Sequence, residues 1–171
     1  MAAFHGFPES GEPGHVRIAR ATGPEEIAAA KRLMGEYVTA LGRDLSFQGV
    51  DDELAALPGD YAPPRGALLL ALVKDVPAAC VALRPFADDI AEMKRLYVRS
   101  AMRGLGLGEL LAKAIIAEAK RLGYAKLRLD TLPEMQAARG LYQRLGFQAI
   151  APYNDNPIAG TAFLELDLRA G

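Results

Sequence analysis

One cysteine, two histidines and no tryptophan are spread over 171 residues. A single thiol excludes a disulfide framework. Cys80 lies in the apolar run PAACVAL, where it reads as a buried structural thiol rather than a nucleophile. This fits a reducing compartment, so the expected location is cytoplasmic. His5 and His15 both lie near the N-terminus and are weak catalytic candidates; no metal site is expected. Charge of one sign is not in excess: 20 Lys and Arg against 21 Asp and Glu give a formal net charge of −1. Nucleic acid is therefore not the expected partner, since such binding leans on a basic surface. No run approaches the roughly 20 apolar residues of a membrane span, and MAAFHGFPESGEPGH lacks the basic-then-apolar order of a signal peptide. No membrane partner is expected either. Residues 1–15 read as a flexible leader and 16–171 as one domain, without internal repeats.

The apolar content, 51%, is ample for a core. Val16 to Ala21 reads as a strand, and Gly23-Pro24-Glu25-Glu26 opens a helix that runs to about Leu41, with Ile27, Ala30, Leu33, Met34 and Tyr37 on one face. Gly42 to Arg65 is long and acidic, with a short helix expected around Asp51 to Ala56, and reads mainly as a functional or covering loop. Three strands follow, Ala67 to Val73, Ala78 to Arg84 and Ile90 to Val98, whose short connections predict an antiparallel meander. A helix carries Leu107, Leu111, Ile115 and Leu122 on its buried stripe and stops at Gly123. Then come a strand (Lys126 to Asp130), a helix (Pro133 to Leu145) and strands at Phe147 to Ile150 and Thr161 to Leu168. The fold class is α/β: a single domain with a mixed, mostly antiparallel sheet flanked by helices.

The most informative stretch is LYVRSAMRGLGLGELL, from Leu96 to Leu111: an apolar strand, a basic glycine-rich turn and an amphipathic helix. Glycines at 104, 106 and 108 remove Cβ atoms and permit dihedrals that point successive N–H groups into one concavity. The helix adds free N–H groups and its positive dipole end. Arg103, and with it Arg99, can bring full charge. Spacing rejects two nucleotide motifs. G-x-G-x-x-G fitted from Gly104 puts Glu109 at the third glycine, and a Walker A loop needs Lys-Ser/Thr where Leu110-Leu111 stand.

What fits is Arg103-x-x-Gly106-x-Gly108, which resembles the acetyl-coenzyme A pyrophosphate loop of the GCN5-related N-acetyltransferase (GNAT) superfamily. EMKRLYV before it resembles that family's fourth strand, and AARGLYQRLGF after it resembles the helix and strand closing the cofactor cleft; element order agrees over roughly 16 to 168. One position departs: Met135 stands three residues before the alanine of A-x-x-L-Y, where the family often has Asn. The resemblance implies acetyl-CoA as cosubstrate, its pyrophosphate on the N–H groups of Arg103, Gly104, Leu105, Gly106, Leu107, Gly108 and Glu109. Its pantetheine arm would pair with the backbone of Leu96, Tyr97 and Val98 as an added strand. Three glycines without a ligand, forming only a sharp turn, is the plain alternative, and Arg103 equally reads as a surface ion-pair residue.

The resemblance also implies acetyl transfer to a primary amine of a small molecule or peptide in a direct ternary complex. An ammonium must lose a proton and the departing thiolate gains from a donor. Tyr142, the tyrosine of L-Y-x-x-x-G-F, is the implied donor; its other reading is a core aromatic. Glu92, early on the fourth strand, is the first choice as base, directly or through water. Strand alternation puts it on the face of Lys94 and Leu96 unless a bulge intervenes, and a solvated strand-end charge or a pair with Lys94 is the competing reading. Asp130 is the rival base, or a cap for the next helix. Asp44 to Pro64 and Pro152 to Gly160 are the expected acceptor walls. Carboxylates in the first would suit a cationic amine such as a polyamine, an amino-acid derivative or a lysine side chain, and an ordinary solvated loop explains them equally; Tyr153, Asn154, Asp155 and Asn156 could orient a polar substrate or simply form a turn. Two other classes stand beside the enzyme: a non-catalytic acyl-CoA binding or sensing module, and a partner-binding domain with no cofactor affinity. A homodimer is expected from family habit alone.

Overall fold

A computed structural model describes residues 15–42, 44 and 49–170. The expected leader falls outside the described residues except for His15, as do residues 43 and 45–48 of the acidic loop. The chain runs β1 (Val16–Arg20), α1 (Pro24–Leu41), α2 (Val50–Ala55), a 3₁₀ turn (Gly59–Tyr61), β2 (Ala67–Val73), β3 (Val76–Pro85), β4 (Ile90–Val98), a second 3₁₀ turn (Ser100–Met102), α3 (Leu107–Arg121), β5 (Lys126–Thr131), α4 (Gln136–Arg144), β6 (Gln148–Ala149) and β7 (Ala162–Asp167). No helix among the described residues is long and apolar enough to cross a membrane.

One seven-stranded sheet has the order β1-β2-β3-β4-β5-β7-β6. The expected meander is present: β1, β2, β3 and β4 pair antiparallel in sequence. Only β4 and β5, joined through α3, are parallel. Each face carries a core. Leu69, Val81, Leu83 and Met93 pack with Leu111 and Ile115 of α3 and Tyr142 of α4. Leu68, Leu70, Cys80 and Ala82 pack with Ala30, Leu33 and Met34 of α1. β2 is apolar at nearly every position because both its faces are covered.

Local chemistry explains most boundaries. α1 begins with Pro24 at its first position and Glu25 and Glu26 in its first turn, complementing the dipole, and ends at Gly42 with φ 62°. The β2–β3 turn is tighter than expected: Lys74 and Asp75 both take positive φ, 51° and 64°, so Val76 already pairs with Val73. Asp75 accepts from Arg17 Nη2 at 2.9 Å, which ties that turn to β1. The expected helix from Pro133 starts later, at Gln136, because Pro133 and Glu134 form a turn and Met135, at φ −91° and ψ 59°, is not yet helical. The capping reading of Asp130 therefore fails: α4 has no side-chain cap, and Asp130 lies inside β5.

Candidate active site

β4 and β5 lie side by side but are paired at only three positions, Ile90 with Lys126, Ala91 with Leu127 and Glu92 with Arg128. Beyond these, β4 continues to Val98 and β5 to Thr131 along diverging paths. Just past the last paired position, β4 also bulges. Lys94 pairs with Ala82 and Tyr97 with Cys80, so Arg95 and Leu96 stand opposite the one residue Val81. Arg95 takes φ 61°, a left-handed conformation costly for a long side chain. Two contacts hold it there: its carbonyl accepts from Cys80 Sγ at 3.4 Å, and its Nε donates to Glu53 Oε2 of α2 at 2.9 Å. Tyr61 donates to Glu53 Oε1 at 2.7 Å. Burial pushes the Glu53 carboxyl up, but the hydrogen bond and charge of Arg95 outweigh it and hold it below its ordinary value.

The bulge resolves the strand alternation. Glu92 and Lys94 face the α1 side, but Leu96 packs on the α3 side, opposite to unbroken alternation. The wedge between the strands opens a cleft of about 500 Å³, with Leu96, Tyr97 and Val98 on one wall and Met135, Ala138 and Leu141 of the α4 segment on the other. Arg103 and Gly108 close its end. On the cleft side, β4 beyond Glu92 has no strand partner among the described residues, which leaves a backbone edge free to pair.

At the glycine turn, Gly104 and Gly106 take φ of 88° and 74°, and a Cβ at either would meet no protein atom within 4 Å. Protein packing does not exclude a side chain there; backbone conformation does, and it turns N–H groups outward ahead of α3. Gly108 differs. Its φ is ordinary and a Cβ would only touch Val98, so its smallness serves the cleft it lines. Leu107 is buried in the α3 core, Leu105 is exposed at the turn and Glu109 pairs with Lys113 at 3.6 Å, so these three offer the turn their backbones. Arg103 has no ion pair among the described residues and lines the cleft. Arg99 is committed elsewhere: its Nε and Nη2 both reach Glu36 at 2.9 Å and its Nη1 reaches the Pro77 carbonyl, which corrects its expected place beside the turn.

Behind the cleft lies a smaller cavity of about 70 Å³, and Tyr37, Leu96, Met135 and Ala138 line both. Lys94 and Arg95 of β4, Asp130 and Thr131 of β5, Tyr142 of α4 and Asn156 complete the inner cavity. Tyr142 is a core aromatic that also reaches the cavity: its ring packs edge-on to Phe147 with centroids 5.6 Å apart, and the residue lines the cavity. Burial, with Tyr37 nearby, pushes its phenol well up, so it stays protonated at neutral pH. Burial likewise pushes Tyr37 up to about 12.

Glu92 sits differently from expectation. It is 1% exposed, and both carboxylate oxygens are occupied: Arg84 Nε donates to Oε1 at 2.9 Å and Tyr153 Oη to Oε2 at 2.8 Å. It is absent from the cavity wall, whereas Asp130 is present there, accepting from Asn154 Nδ2 at 3.1 Å. The expected pair of Glu92 with Lys94 does not form, although the Glu92 charge still acts on Lys94, whose ammonium burial pulls below its ordinary value. From the Pro152 to Gly160 segment, Asn156 lines the cavity, while Asn154 reaches it only through Asp130 and Tyr153 only contacts Glu92. Met135 accepts from Thr131 Oγ1 through its sulfur at 3.6 Å. Sequence reasoning missed Tyr37, Lys94 and Arg95. Tyr37 gave only an apolar-face signal, Lys94 was considered only as a partner for Glu92, and Arg95 was hidden by a bulge that alternation does not reveal.

The sequence profile of the acetyltransferase (GNAT) family matches residues 33–147. An uncharacterized N-acetyltransferase of Schizosaccharomyces pombe is 42% identical over 159 residues, covering 92% of this chain and 98% of its own. Among solved structures, a GNAT family acetyltransferase from Staphylococcus aureus superposes with a TM-score of 0.74 at 16% identity, covering 90% of this chain and 99% of that one. A GNAT family acetyltransferase from Elizabethkingia anophelis with acetyl-CoA bound gives 0.62 at 22%, covering 91% and 99%. At those identities the structures speak for the fold; the profile match, together with the yeast relative, establishes that this chain belongs to the acetyltransferase (GNAT) family.

Proposed function

We propose that the protein transfers the acetyl group of acetyl-CoA to a primary amine by direct attack in a ternary complex. The observation that carries this is the continuity of the wedge: the phosphate-suited turn, an unpaired strand edge and a cavity with a protonated phenol and a carboxylate follow one another along it. Acetyl-CoA supplies a thioester activated toward amines. Turn N–H groups from Arg103 to Glu109 and the Arg103 guanidinium hold its pyrophosphate, and the β4 edge at Leu96, Tyr97 and Val98 pairs with the pantetheine amides.

Within the cavity, Asp130 rather than Glu92 is positioned to take the proton that an acceptor ammonium gives up. Glu92 is then a positioning residue, since its two hydrogen bonds hold Arg84 and Tyr153. Tyr142 keeps its proton until a leaving sulfur needs one, and the second amine proton restores the phenol through water. A single buried thiol and a free-thiol product suit the cytoplasm, the compartment this reading implies. A homodimer belongs to the same reading, checked by sedimentation velocity.

Calorimetry with acetyl-CoA, and NADH and ATP as controls, tests the cleft; an amine screen for released thiol tests the reaction. Selective acetyl-CoA binding with thiol release is expected. Binding without release from any amine would reduce the protein to an acyl-CoA-binding module, and no binding would leave a partner-binding domain.

A further inference from the structure

Two hydrogen-bond donors in the inner cavity have nothing to donate to. The Lys94 side chain comes from the bulged part of β4, and the residue is only 9% exposed. Among the described residues, its ammonium makes no hydrogen bond or ion pair; Glu92, Asp130, Arg95 and Arg84 act on it only at longer range. Asn156 is the second. Its Oδ1 accepts from the Ile158 backbone N–H at 2.9 Å, which fixes the orientation of the amide, and its Nδ2 is buried without a partner. Both residues line the same cavity of about 70 Å³. Buried donors are almost always satisfied in folded proteins, so the open Asn156 Nδ2, in the same cavity as the unpaired Lys94 ammonium, points to an acceptor held between them.

The charges around the cavity define that acceptor. Arg95 is matched by Glu53, and Arg84 by Glu92. What remains is one positive group, Lys94, and one negative group, Asp130, on opposite strands of the wedge. An amine carrying only its ammonium would satisfy Asp130 and leave the Lys94 charge unmatched and the buried Asn156 Nδ2 without an acceptor. A zwitterion satisfies both: a carboxylate on Lys94 and Asn156, an ammonium on Asp130.

Building on the acetyltransferase reading, we infer that the acceptor is a free amino acid whose carboxylate is held by Lys94 and Asn156. Among the cationic amines the acidic loop suggested, this favours an amino acid over a polyamine, and Glu53 of that loop is already neutralised by Arg95.

The test pairs each proteinogenic amino acid with the amine it becomes on decarboxylation, such as phenylalanine with phenethylamine, and follows thiol release from acetyl-CoA. At least one amino acid should be acetylated with kcat/KM ten-fold or more above its decarboxylated partner. K94M should bring that ratio to near one, chiefly by raising KM for the amino acid, and N156A should lower it several-fold. Unaltered acetyl-CoA affinity by calorimetry shows that both variants remain folded. Equal turnover of both members of every pair, or turnover of the decarboxylated amines alone, overturns the inference while the acetyltransferase reading stands. So does a ratio that K94M and N156A leave unchanged. Failure of the wild-type protein to bind acetyl-CoA overturns both.

Discussion

Tyr142 concentrates the catalytic argument in one oxygen. Its ring is core, against Phe147, yet the residue reaches the cavity, and burial keeps its proton in place. Tyr142→Phe removes only that oxygen, so packing survives. The expected result is a fall in kcat of about 100-fold, in the usual range for a lost general acid, with acetyl-CoA affinity within about two-fold; stopped assays and calorimetry separate the two. Equal losses in both would assign Tyr142 to packing. Glu53 makes a different case. It is the partner of a nearly fully buried Arg95 and also accepts from Tyr61. Glu53→Gln should cost about 3 kcal/mol, because it strands a buried guanidinium. The carboxyl is held below its ordinary value in the folded protein. Its contribution is therefore complete above the unfolded carboxyl range, near pH 4.5, and fades as pH falls through the folded value. Urea midpoints at pH 7 and pH 4 check this: the gap between wild type and variant should narrow in acid.

The glycine turn and the bulge are the two elements that shape the site. Gly106 begins α3 in a left-handed conformation with open space at the Cβ position. Gly106→Val meets no neighbour but puts a β-branched residue at positive φ, a strain of about 1–2 kcal/mol. Acetyl-CoA affinity should drop about ten-fold, while secondary structure by circular dichroism is retained; unchanged affinity would remove the turn from the binding site. The bulge works through direction rather than strain alone. By keeping Arg95 on the side of Lys94 and turning Leu96 to the other, it supplies a second cation to the cavity and an apolar wall to the cleft from adjacent residues of one strand. The turn was legible beforehand because glycines at fixed spacing carry a conformational signal of their own. The bulge was not, since EMKRLYV alternates plausibly either way and its irregular pairing arises only against Cys80 and Val81.

Across the whole molecule, burial governs the phenols. Tyr37, Tyr61, Tyr142 and Tyr153 all have hydroxyls pushed upward, with desolvation the largest cause in each. A raised folded value stabilises the neutral form. That stability is complete below the unfolded tyrosine range, near pH 10, and is lost as pH rises beyond it. Tyrosinate absorbance of the native protein should therefore lag the denatured titration and appear together with unfolding; superimposable curves would contradict the buried positions of these rings.

By itself, the chain determined its element order, its sheet class, its glycine turn ahead of α3 and its family. These depend on local spacing: helix stripes, proline and acids at a helix start, glycines in a turn. The tertiary structure alone decided which carboxylate faces the cavity. Glu92 and Asp130 look alike as strand acids, but three-dimensional packing occupies Glu92 with Arg84 and Tyr153 and leaves Asp130 on the wall. Likewise, only the splay of β4 from β5 brings Lys94 to the same cavity as Asn156, 62 residues further along the chain. Periodicity describes how a residue relates to its own element, and the meeting of two elements that part after three paired positions is a property of the assembled sheet.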